Sequence, residues 1–217
     1  MVLQGQSKAS ILLLICGAVS PLLYASADLL AGLSFEGYSF RDQTISELGA
    51  TGAPSETLFS ALLIPTYILM LAFGIGVVKV AESRRKLSIA GSLLIAFAVI
   101  ALVFGPFVAM KPRGVDQEFV GALHLVEGGV EMFILLLAMG FASTALGRKF
   151  TVYTVATIAV MFTFAAWSLL DVPKVEAGLP TPWVGVKERI YWYAYQLWFV
   201  GLALALLRQA PDSERQH

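Results

Sequence analysis

The chain is 217 residues long, 58% hydrophobic and 14% charged, with 15 Lys and Arg against 15 Asp and Glu. That apolar excess exceeds the make-up of a water-soluble domain and identifies a membrane protein. A net charge of zero with no basic stripe excludes nucleic acid as a partner, and the lone Cys16 excludes a disulfide framework or a thiolate metal site.

The first apolar run, "ASILLLICGAVSPLLYASADLLAGL", is too long for a signal-peptide core and carries Pro21 and Asp28 where a cleavage pattern would stand, so it reads as a retained helix. Hydropathy predicts spans at about 9–33, 57–80, 87–110, 119–146, 150–171 and 188–207, each reaching the ~20 residues that cross a ~30 Å hydrocarbon core. The expected fold is all-α, one domain over residues 1–217: an integral membrane bundle of six transmembrane helices. With the N-terminus inside, nine Lys and Arg lie on the inner side and six on the outer, which places both termini in the cytoplasm. The inner connections "ESRRKL" and "GRKF" are short. The outer ones are longer and rich in Gly and Pro, and such loops are where sites tend to be built. No internal repeat is evident, so an inverted-repeat transporter architecture has no sequence support.

The fourth span carries "GALHLVEGGVEMF". His124, Glu127 and Glu131 fall at i, i+3 and i+7 and share one stripe of a helix. An acid at mid-membrane costs roughly 2.5–3.5 kcal/mol, so this stripe must face partners, water or protons, and intramembrane ionisable groups are candidate functional residues. Gly121, Gly128 and Gly129 nearby would let neighbouring helices approach closely. An imidazole with two carboxylates suits acid–base chemistry or a divalent metal, for which His124, Glu127 and Glu131 are the candidate ligands. The alternative is a buried hydrogen-bond network that only fixes helix packing.

Other charges gather on the outer side: Asp28 near the end of the first span, Glu47 in "ISELGA", Asp116 before the fourth span, and Glu188 and Arg189 opening the sixth. Arg189, Trp192 and Gln196 again follow i, i+3, i+7. Arg189 is expected to be a counter-ion for the fourth-span acids or a clamp for an anionic headgroup. Tyr191, Trp192, Tyr193, Tyr195 and Trp198 read first as an interfacial aromatic belt. The "SELGA" stretch can also be read as a capped turn, and Asp28 as a group that merely reaches outer water. No GxSxG, P-loop, HExxH or dinucleotide fingerprint occurs.

The segments "GYSFRDQTISELGATGAP", "FGPFVAMKPRGVDQEFVGALHL" and "GVKERIYWYAYQLWF" together resemble the prokaryotic multi-pass proteins catalogued as domain of unknown function 998. Ile45 to Ala50 match an I-S-[DE]-L-G-A loop, Asp116 and His124 match part of a G-x-F-P-x-D segment followed by a His-bearing helix, and Glu188 and Arg189 match a late E-R pair. The chain departs where the Phe-Pro pair reads Phe107-Val108, and where Val120 stands at a position some relatives fill with a second His. The resemblance implies the architecture, a prokaryotic inner membrane and a shared outer site, and assigns no reaction.

These readings converge on an outer-half polar pocket of Glu47, Asp116, His124, Glu127, Glu131, Glu188 and Arg189, with Trp192 and Gln196 beside it. The first functional expectation is a membrane-embedded enzyme acting on a lipid or lipid-linked substrate. In it His124, Glu127, Glu131 and Asp116 do the chemistry, and Glu47, Glu188, Arg189, Trp192 and Gln196 bind substrate. The others are a lipid, solute or proton binding or transport protein, and a membrane scaffold.

Overall fold

A computed structural model describes residues 7–115 and 118–209. Among these residues every regular element is helical. The long helices are α1 (Lys8–Ser34), α2 (Glu56–Ala81), α3 (Arg85–Phe104), α4 (Glu118–Leu146), α5 (Arg148–Leu169) and α7 (Val184–Leu207); α6 (Val172–Glu176) is a single short turn. Two 3-10 turns, Ser46–Gly49 and Gly105–Phe107, lie in the connections. Six helices are long and apolar enough to cross a membrane. Their outer faces carry Leu22, Leu33, Phe133 and Phe162 well exposed, an apolar surface that water would not support and a bilayer would.

The helices close into a ring. α1 packs on α2 and α7, α2 on α3, α3 on α4, α4 on α5, and α5 on α7. Hydrocarbon offers no hydrophobic drive to pair helices, so close backbone approach does this work. A Cβ at Gly74 would sit 2.9 Å from the Ile95 nitrogen, and one at Gly91 2.8 Å from that of Val78, so α2 and α3 touch through glycine.

The core is largely aromatic. Phe73 of α2 and Phe97 of α3 meet Phe199 of α7 edge-on at centroid distances of 6.0 and 6.3 Å, and Tyr195 meets Phe97 at 6.0 Å. The Trp198 indole nitrogen donates to Thr154 Oγ1 of α5 at 3.0 Å. Tyr195 and Trp198 are fully buried packing residues, which corrects the belt reading for both. The first turn of that helix is anchored to the α1–α2 connection, which sets the face it turns inward.

Two boundaries differ from the hydropathy reading by more than two residues. The third span ends at Phe107, where Gly105 and Pro106 tighten the chain into a 3-10 turn. The last helix begins at Val184, four residues early, with Pro182 and Trp183 just ahead of it.

Candidate functional site

The three long connections, between α1 and α2, α3 and α4, and α5 and α7, meet at one end of the bundle, here called the long-loop end. Thr44 and Glu47 form a reciprocal capping box there: the Thr44 N–H donates to Glu47 Oε2 at 2.7 Å, and the Glu47 N–H donates to Thr44 Oγ1 at 3.2 Å. Arg113 grips the same carboxylate bidentately, with both Nε and Nη2 at 2.8 Å, and reaches the Leu179 carbonyl at 3.0 Å and Thr181 Oγ1 at 2.8 Å. One guanidinium thus ties all three connections together. In the sequence it is marked only by being an arginine in a Gly/Pro-containing loop between two apolar spans.

The start of α7 is held by the first connection. The Arg41 carbonyl accepts from the Gly185 N–H at 3.0 Å, and Asp42 Oδ1 accepts from the Trp183 N–H at 3.0 Å. Arg41 and that N–H draw the Asp42 carboxyl down to about 2. Gly185 is required by the approach, since a Cβ there would lie 2.1 Å from the Gln43 carbonyl oxygen. Glu188 then accepts from the Ile45 N–H, and from Ser46 Oγ at 3.2 Å.

Arg189 pairs with Asp28 of α1, not with the acids of α4. Its Nε and Nη2 reach the two carboxylate oxygens at 3.0 and 2.7 Å, and Nη2 also donates to the Tyr38 hydroxyl at 2.7 Å. Nη1 donates to the carbonyls of Phe40, Gln43 and Gly185. Tyr193 donates to Asp28 at 2.8 Å, so Asp28 is buried and fully partnered instead of reaching water. Lys187 pairs with Asp171, which Lys174 also approaches at 3.1 Å. Burial pushes the Asp171 carboxyl up, and the two lysines more than reverse this, leaving it below its ordinary value.

The α4 stripe is built differently. His124 reaches the backbone of Val108. Glu127 Oε1 is buried with no hydrogen-bond partner, and Glu131, one turn on, is 6% exposed and makes no hydrogen bond or ion pair among the described residues. The phenols of Tyr67 on α2 and Tyr195 on α7 lie close enough to Glu131 to feel its charge. Gln196 leaves its Oε1 buried and unpartnered, and the Trp192 Nε1 lies near the Tyr191 phenol outside hydrogen-bond geometry. Gly128 and Gly129 face open space and do not mediate close helix packing.

The expected pocket therefore resolves into two groups. Glu47, Glu188 and Arg189 belong to the long-loop cap, Glu127 and Glu131, with Gln196 and Trp192 of α7, belong to the bundle interior, and His124 lies between them on Val108 of the α3–α4 connection; Asp116 lies outside the described residues. Among the described residues no three His, Cys, Asp or Glu side chains form a group able to hold a metal ion, so the candidate ligands on α4 share a stripe without converging on one centre. A cleft of about 230 Å³ at the long-loop end is lined by Phe35, Glu47, Pro54 and Arg113 among others, and by no residue of α4.

The family described as "Protein of unknown function (DUF998)" matches residues 18–205, from within α1 almost to the end of α7. No curated protein and no solved structure matches the chain.

Proposed function

The chain belongs to the DUF998 family, and we propose that it is a non-enzymatic binding and transfer protein that takes a proton or small cation into the bundle at Glu127 and Glu131. The observation that carries this reading is the unpartnered Glu127 Oε1 one turn from buried Glu131, where the other buried acids among the described residues are all paired or hydrogen-bonded. A carboxyl held without a counter-ion in low dielectric is a group poised to bind positive charge. Proton movement along side chains needs no repeat-based rocking of the bundle, so the absence of an internal repeat is no obstacle. The bilayer is its partner. The lysine and arginine asymmetry supports cytoplasmic termini, with the long-loop end outside a prokaryotic plasma membrane.

The lipid-directed enzyme reading draws less support. Arg189 was its headgroup clamp, and all five of its N–H groups are committed to protein acceptors.

Proteoliposomes containing a pH-sensitive dye test the proposal. Wild-type protein should dissipate an imposed pH gradient, and Glu131→Gln and Glu127→Gln should lose that flux while melting normally. Unchanged flux in the folded double variant would sink the reading, and a lipid profile altered by His124→Ala would return the enzyme hypothesis.

A further inference from the structure

Three helices direct polar stripes at one another inside the ring. On α1, Ser20, Tyr24 and Asp28 recur every fourth residue; on α7, Glu188, Trp192 and Gln196 do the same, with Tyr195 between; on α4, Glu127 and Glu131 complete the set. The stripes meet. Tyr24 stacks on Trp192 at 5.8 Å and meets Tyr193 edge-on at 6.0 Å, placing α1 and α7 in register.

Because α1 and α7 run antiparallel, one turn from the Tyr24–Trp192 stack brings Ser20 and Gln196 to the same depth. Ser20 is 0% exposed and Gln196 1%, yet Ser20 Oγ and Gln196 Oε1 have no hydrogen-bond partner. Two unpaired polar atoms at one depth in a packed interior are places where bound water belongs. The other Gln196 amide atom, Nε2, donates to the Tyr195 hydroxyl at 3.3 Å.

The phenols bridge the two groups of acids. Tyr24 stacks on Trp192, Trp192 meets Tyr195 at a centroid distance of 5.3 Å, and Tyr195 and Tyr67 flank Phe97 at 6.0 and 6.4 Å, so the three phenols follow one aromatic row through the interior, and the charge of Glu131 acts on both Tyr67 and Tyr195. The other titratable groups on these faces are Cys16 of α1, His124 and Glu127 of α4, and Arg189, Tyr191 and Tyr193 of α7. Between Leu87 and Phe107 the α3 span has none.

We infer that Tyr24, Tyr195 and Tyr67, with water on Ser20 and Gln196, form a proton path from the Asp28–Glu188 end of the bundle to Glu131. This rests on the reading of Glu127 and Glu131 as the charge-binding site, and it names the species taken there as the proton. At each step a phenol oxygen accepts one proton on a lone pair and releases its own hydroxyl proton to the next oxygen. Only O–H bonds are made and broken, and one positive charge advances.

The test is Tyr195→Phe, which keeps the ring and removes the hydroxyl, with Tyr67→Phe as a second variant. Proton flux is read in the proteoliposomes above, and the Glu131 carboxyl stretch, assigned by its loss in Glu131→Gln, is read by infrared difference spectroscopy on a pH step. Flux should fall by about tenfold or more in Tyr195→Phe, and the Glu131 band should shift while the melting temperature holds. If wild type shows both flux and band and neither folded Phe variant changes either, the path is wrong and the carboxyl site stands. If wild type shows neither, the carboxyl site fails and the path with it.

Discussion

The long-loop cap and the α4 stripe contain the same kinds of side chain and treat them in opposite ways. In the cap, the carboxylates of Asp28, Glu47 and Asp171 each meet an arginine or lysine, and Glu188 meets a backbone N–H and a hydroxyl. On α4, Glu131 is as deeply placed, Glu127 is half-buried with its Oε1 enclosed, and neither has a counter-ion among the described residues. A buried charge with every partner in place fixes geometry, and removing one partner leaves the other uncompensated. A buried carboxyl left open specifies no neighbour and remains available to a mobile one. The cap is thus the structural use of intramembrane charge in this protein, and α4 the candidate functional one.

The sharpest way to break this comparison is to cut the cap. Arg189→Ala strands the Asp28 carboxylate and should destabilise by about 3–5 kcal/mol, read as a lower melting temperature in detergent. Arg189→Lys should not restore it, since an ammonium cannot reproduce the bidentate fork. Wild-type melting of Arg189→Ala would mean that this pair does not hold α1 to α7.

Asp171→Asn should follow at about 3 kcal/mol, because Lys187 stays buried without its counter-ion. Acid should act on the same groups. The Asp42 and Asp171 carboxyls lie below their ordinary value of 3.8 in the folded chain, so the stability they add is complete above that pH and lost as pH falls, through about 2 for Asp42. Melting temperature should therefore be level near neutrality and drop in acid, with a shallower drop in Asp171→Asn. Gly185→Ala drives a Cβ into the Gln43 carbonyl and should cost about 1–3 kcal/mol.

The smallest stability effect is expected on α4. Glu127→Gln and Glu131→Gln should leave the melting temperature unchanged or raise it, because each removes an uncompensated ionisable group. A loss as large as that of Arg189→Ala would put the α4 acids in the same structural class as the cap and remove the contrast.

The six helices were legible because a span announces itself through continuous apolarity, a local property. The α7 start was not, since the groups that fix it, the Arg41 carbonyl and the Asp42 carboxylate, come from a connection far away in sequence. The pairing of Arg189 failed for a related reason: periodicity shows which residues share a face and says nothing of which helix that face meets. Once α7 closes on α1, Asp28 is the acid within reach and Glu131 is not. The stripe of His124, Glu127 and Glu131 was legible as an anomaly, while the open state of its carboxyls required the surroundings.

Ring closure by α7 also sets a schedule for biogenesis. Asp28 leaves the ribosome 161 residues before Arg189, roughly 10–30 s at ordinary rates of synthesis. Throughout that interval α1 holds an acid whose ion-pair partner has not yet been made, so the nascent helix must keep it near the membrane surface or sheltered by the insertion machinery. α7 is the span that lets α1 settle, and a chain stopped before Arg189 leaves Asp28 without its ion pair.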